Sequence, residues 1–114
     1  MNLAAIRDLL QCAVLVGGES LAIEVDTAVA ADGMSAVLAA PHPGALMVTG
    51  LANIQSVRTA DVADVRAIVY IRGKLPNDKV IELARQKKIP LLATRLGIFD
   101  VCGILREKGM KGAM

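Results

Sequence analysis

Residues 45–50 read Ala-Leu-Met-Val-Thr-Gly, residues 67–73 read Ala-Ile-Val-Tyr-Ile-Arg-Gly, and residues 90–95 read Pro-Leu-Leu-Ala-Thr-Arg. Each is a short aliphatic run that stops on small or polar residues. None has the alternation of a strand with one wet face, and none is long enough for a helix, so they read as strands buried on both sides. The stretches between them have helical spacing. Asn53 can cap a helix with Ile54, Val57 and Ala60 inward. Pro76 and Asn77 open a second, with Val80, Leu83 and Ala84 inward and Glu82, Arg85, Lys87 and Lys88 outward. After Thr94, Ile98, Val101, Cys102 and Leu105 recur at i, i+3, i+4 and i+7. Strand and helix in strict rotation, with strands apolar throughout, predict a parallel sheet covered by helices over residues 45–108.

Toward the N-terminus, Leu3, Ile6 and Leu10 predict a helix that Asn2 can cap. Cys12–Val16 reads as a strand closed by Gly17-Gly18. Ile23–Val29 alternates, with Ile23, Val25, Thr27 and Val29 on one side, and reads as a second strand. These two are expected to form a local, hairpin-like pair. Asp32 stands before Gly33-Met34-Ser35 and the small-residue run Ala36–Ala40, the position of a helix N-cap, and Pro41-His42-Pro43-Gly44 ends that helix. The expected fold is therefore α/β. It has a mostly parallel sheet with helices on both faces, a βαβαβα C-terminal half, and an N-terminal helix and two strands. One domain spans residues 1–114, ordered over 3–108, with 109–114 as a frayed, Gly-containing tail.

Composition narrows the function. Apolar residues make up 54 % of 114 residues but aromatics only 2 %, so the core is aliphatic and base stacking on an aromatic platform is excluded. So apolar a chain does not stay disordered. No run reaches the roughly 18 apolar residues of a membrane span. Cys12 and Cys102 belong to no CxxC or Cys/His cluster, and they read as reduced thiols of a cytoplasmic protein. Residues 1–74 carry five basic and seven acidic groups; residues 75–114 carry eight and four. The basic excess (Arg85, Lys87, Lys88, Arg95, Arg106, Lys108 and Lys111) reads as solvated helix ends or as a patch for an anionic ligand or partner.

Parallel strands aim their C-termini at one edge, and ligands of such sheets bind beyond it, near helix N-termini. Here the strands end in Thr49-Gly50, Arg72-Gly73 and Thr94-Arg95. Glycine allows close backbone approach, and Arg72 brings a guanidinium fork suited to phosphate or carboxylate. With Asp32, Ser35 and Asn53 at helix starts, the candidate ligand-binding set is Asp32, Ser35, Thr49, Gly50, Asn53, Arg72, Gly73 and Thr94. The same residues also serve as plain strand-to-helix turn chemistry. No GxGxxG or GxxxxGK[ST] string is present, no serine lies in a GxSxG setting, and His42, the one histidine, has no metal-ligand spacing to any neighbour. The sequence thus supplies no catalytic set, no metal site and no cofactor motif.

The order Gly17-Gly18, Asp32 to Ser35, Val48-Thr49-Gly50, Asn53-Ile54, Arg72-Gly73, Pro76 and Lys88-Ile89-Pro90-Leu91-Leu92-Ala93-Thr94 followed by Phe99 resembles a stand-alone DRTGG domain over residues 3–108, although no literal Asp-Arg-Thr-Gly-Gly occurs. That resemblance implies a fold similar to the N-terminal domain of HPr kinase. It also implies a regulatory or assembly role of the kind such domains have beside CBS pairs and phosphotransacetylases. Stand-alone copies are often encoded near iron-only hydrogenase subunits. The expected function is a non-catalytic module that self-associates as a homodimer or higher homo-oligomer and takes a small anionic ligand, such as a nucleotide or phosphate metabolite, at the strand C-termini. A scaffold for a redox or hydrogenase-associated protein partner is one alternative. The other is a small-molecule phosphate- or acyl-transfer enzyme, which requires a general base beside Thr49 or Thr94, with Asp32 the candidate. Neither nucleic acid nor membrane is an expected partner.

Overall fold

The computed structural model describes residues 1–114. Six strands form one sheet in the order β1-β5-β4-β3-β2-β6. They are β1 (Ala13–Val16), β2 (Thr27–Ala30), β3 (Leu46–Thr49), β4 (Ala67–Tyr70), β5 (Leu91–Ala93) and β6 (Lys111–Gly112). Every neighbouring pair is parallel except β1 with β5, which is antiparallel. The helices are α1 (Leu3–Leu10), α2 (Met34–Leu38), α3 (Ile54–Val62), α4 (Asp78–Lys87) and α5 (Ile98–Glu107).

The three central strands are buried at every position, and their alternation divides the core in two. Met47, Ile68, Tyr70, Leu91 and Ala93 point to one side and pack with Val37 of α2, Val57 and Ala60 of α3, and Val80 and Ala84 of α4. Leu46, Val48, Ala67, Val69 and Leu92 point to the other and pack with Leu3, Ile6 and Leu10 of α1 and Val101 and Leu105 of α5. Helices on both faces follow from strands that are apolar on both faces. Asn2, Asn53 and Asn77 cap α1, α3 and α4, each accepting a backbone N–H through its side-chain oxygen.

Three expectations need correction. β1 and β2 do not pair; β5, β4 and β3 lie between them. The ten residues between them, Gly17 to Asp26, carry the chain across the sheet, and β1 gains its hydrogen bonds from the buried β5 instead. The second strand begins only at Thr27: residues 23–26 run alongside α1, with Leu3 and Ala4 donating to Ile23 and Leu21 and a single bridge from Asn2 to Glu24. The C-terminal residues are not a loose tail. Met110 is buried, Lys111 and Ala113 donate to Asp26 and Ala28, and β6 extends the sheet beyond β2. An apolar anchor followed by backbone pairing orders a segment that has no apolar run of its own.

Candidate functional site

Because β2, β3, β4 and β5 run the same way, Asp32, Thr49-Gly50, Arg72-Gly73 and Thr94-Arg95 share one edge of the sheet. The antiparallel β1 brings its own start, and the end of α1, to the same edge.

Asp32 organises the first half of this rim. It is not the N-cap of α2, a place taken by Gly33 with no side-chain bond. Its Oδ1 accepts the Gly50 N–H at 2.7 Å and the Thr49 hydroxyl at 3.4 Å, and its Oδ2 lies 3.8 Å from Arg72 Nη2. Two donors and a cation outcompete one amide of a short helix, which is why the local capping signal is overridden. Arg72 adopts left-handed backbone, φ 57°, and its N–H donates to Leu96 at 2.8 Å. Its guanidinium lies across Gly50: a Cβ on Gly50 would stand 2.9 Å from Arg72 Cζ, closer than real Cβ contacts come. Glycine is therefore the residue that lets Arg72 lie flat on the rim. Arg72 is 46 % exposed, and its one carboxylate partner is beyond hydrogen-bond range. Most of its five N–H donors stay open.

The two threonines face inward. Thr49 is fully buried; its hydroxyl donates to Asp32 and accepts from Leu51 N at 3.1 Å. Thr94 donates to Leu10 O at 2.7 Å and accepts from Leu96 N at 3.2 Å, tying β5 to the end of α1. The transfer-enzyme alternative asked for a carboxylate beside one of these hydroxyls, and Asp32 is beside Thr49. That hydroxyl, however, is sealed from any substrate. Asn53 spends its side chain on the amides of Gln55 and Ser56 at the start of α3. Ser35 is exposed inside α2 and makes no side-chain hydrogen bond to the others. His42, in the turn after α2, is buried with Nε2 donating to Val37 O at 2.9 Å.

The second half of the rim holds a cavity. β2, β3 and β4 are each followed by a helix on one face, but β5 is followed by α5 on the opposite face. The chain after β4 and the chain after β5 therefore part company, which opens a crevice between adjacent strand ends. A cavity of about 360 Å³ lies there, lined among others by Gly73, Leu75, Thr94, Arg95 and Leu96. Gly73, at φ 69°, donates to Thr94 O at 2.9 Å, tying together two of the lining residues. Next to it α5 starts on Gly97, which offers no side-chain cap, so its first-turn amides stay open. Leu75 and Leu96 escaped the sequence reading. Their signal was the change of helix face between β4 and β5, which a one-dimensional pattern does not carry.

Below the rim, Ser56 Oγ donates to Asn53 O at 2.7 Å and stands 2.7 Å from Tyr70 Oη. Ser56 has one hydroxyl hydrogen, so the Tyr70 phenol is the donor in that pair. Burial pushes the Tyr70 phenol above its usual range. It likewise pushes Cys12 to about 11 and raises Cys102, so neither thiol is primed as a nucleophile.

A sequence model of the DRTGG domain matches residues 5–107. The chain belongs to the DRTGG domain family. No curated protein matches this DRTGG domain by sequence. Among solved structures, it superimposes with a TM-score of 0.74 on the CBS and DRTGG domains of the regulatory region of Clostridium perfringens pyrophosphatase, a structure complexed with the activator diadenosine tetraphosphate. Identity is 17 %, and the match covers 91 % of this chain but 45 % of that one, so the likeness is one of fold over just under half of the neighbour. No helix of the DRTGG domain is long and apolar enough to cross a membrane.

Proposed function

We propose that this DRTGG domain is a non-catalytic regulatory or assembly module that binds a small anionic ligand, of the nucleotide or phosphate-metabolite class, at the C-terminal rim of its parallel strands. The observation that carries the reading is the crevice between β4 and β5, where a cavity adjoins the guanidinium of Arg95 and the open start of α5. Arg72, whose guanidinium lies over Gly50 on the adjoining half of the rim rather than in the cavity wall, supplies a second cation with free donors. Apolar Leu75 and Leu96 suit a ligand body, and the cations suit its phosphates. Asp32, Thr49 and Gly50 act by holding Arg72, and Thr94 by shaping the cavity. The fold neighbour's nucleotide activator supports the same ligand class.

Self-association fits the apolar Phe99 side chain, 87 % exposed in the first turn of α5, which a second copy would cover. The two unpaired thiols fit a reducing, cytoplasmic setting. The test is a thermal-shift panel of ATP, AMP, diadenosine tetraphosphate and phosphate at millimolar concentration, with sedimentation of the free protein at tens of micromolar. A shift with a nucleotide that Arg72→Ala removes supports the reading. No shift with any member overturns the ligand, and a strict monomer overturns the assembly. A shift indifferent to Arg72→Ala moves the ligand off this rim.

A further inference from the structure

The largest openings on the surface are at the other edge of the sheet, where the parallel strands begin. One, of about 580 Å³, is bounded by the end of β1 and the Gly17–Ser20 turn on one side and by the end of α4 and start of β5 on the other. Its volume falls in the roughly 300–1,000 Å³ typical of small-molecule sites. We propose that this cavity is a second ligand site, distinct from the rim, for a small organic anion: one phosphate or carboxylate head on an apolar body.

The walls supply both halves of that ligand. Leu15, Val16 and Ile89 line the cavity with aliphatic surface, and Arg85 and Lys88 stand over it as cations. Neither cation is tied down. The nearest carboxylate to Arg85 is Glu82 at 4.0 Å, between exposed side chains, and Lys88 makes no ion pair. Glu19 is the one acid in the lining, which leaves an excess of one positive charge. An acidic head bridging Arg85 and Lys88 would complete their hydrogen bonding while its body covers the aliphatic wall.

The cavity is also built to keep its shape. Gly17 sits at φ 90°, and a Cβ there would lie 2.9 Å from Pro90 Cβ, so the turn after β1 is pressed onto the first residue of the β5 segment. Lys88 holds the left-handed C-cap of α4, with its N–H bonded to Ala84 and Arg85. Both walls are thus anchored by backbone, and the two cations project from a fixed helix end. This arrangement arises only because β1 runs antiparallel to β5, which brings Gly17-Gly18 opposite Lys88.

The experiment is an amide NMR titration of the full chain with phenyl phosphate and with benzoate, beside phenol and inorganic phosphate as half-ligands. Saturable shifts at Gly17, Gly18, Lys88 and Ile89 with at least one complete ligand, and at least tenfold weaker response to either half, are expected. The double variant Arg85→Gln, Lys88→Asn should weaken binding by about a hundredfold, each lost charge-assisted hydrogen bond accounting for roughly tenfold. Asparagine tolerates the left-handed cap, and an unchanged melting temperature would show that the fold is intact. Inorganic phosphate acting as strongly as phenyl phosphate would reduce the site to charge attraction and overturn the proposal. So would shifts confined to Gly50, Arg72 and Gly73, or binding that survives the double variant. Because the reporting amides lie at opposite edges, failure here is separable from failure of the rim.

Discussion

Gly50→Ala separates the role of the rim from its contribution to stability. The new Cβ enters the space of the Arg72 guanidinium, standing 2.9 Å from Cζ, so Arg72 must leave the rim and its contact with Asp32 is lost. The stability cost is small for three reasons. The displaced group is the far end of a flexible side chain. At 3.8 Å the Coulomb energy is about 1 kcal/mol in water, and for side chains 46 % and 55 % exposed a surface pair contributes roughly 0–1 kcal/mol. Gly50 is not in left-handed backbone, so alanine also returns about 0.4–1 kcal/mol by restricting the unfolded chain. The sum lies near zero, and the melting temperature should move by no more than about 5 °C. Ligand affinity should behave differently. Losing a charged hydrogen-bond donor costs roughly 1.5–3 kcal/mol, a ten- to hundredfold weaker Kd. Asp32→Asn should do the reverse: its side-chain oxygen can still accept from Gly50 N, while removal of the competing carboxylate frees Arg72 and tightens anion binding. Calorimetric titration with ATP, beside thermal melts, reads both. Unchanged affinity in Gly50→Ala, or a fall in melting temperature beyond about 10 °C, would refute the argument that Gly50 exists to seat Arg72.

Ser56→Ala and Tyr70→Phe should each destabilise the fold by about 1–3 kcal/mol in urea denaturation, because each leaves the other's buried hydroxyl short of a partner, and the double variant should lose less than the sum. Thr59 Oγ is buried with no partner, so Thr59→Val should stabilise by about 1 kcal/mol, read in the same assay. Cys12 should resist iodoacetamide at pH 8 and react as pH approaches 11. The linked stability term has a definite sign: the folded thiol, raised from 9.0 to about 11, favours the protonated form, so stability is intact below pH 9 and falls between the two values. Cys12→Ala should flatten that fall in a series of melts.

The layering follows from local residue pattern. Ala45–Val48, Ala67–Ile71 and Leu91–Ala93 are aliphatic on both faces, so they had to be central, parallel and covered, and the helical spacing of Val57, Val80 and Leu105 says what covers them. The same pattern also determined the edge on which Thr49, Gly50, Arg72, Gly73 and Thr94 meet, because parallel strands align their ends, and it determined the caps at Asn2, Asn53 and Asn77, whose partners lie within three residues. Other features arise only from contacts between distant segments. The neighbour of β1 is chosen among all available edges, and β5 prevails over the nearby β2. The partner of Asp32 lies 17 and 18 residues away, at Thr49 and Gly50, and wins over the local cap. β6 is held by backbone pairing beside a buried Met110, which leaves no trace in the pattern of Lys111-Gly112. The rim cavity comes from α4 and α5 lying on opposite faces. Periodicity reports which residues are buried within one element; which element lies beside which is set by the free energy of the whole assembled sheet, and the crevices follow from that.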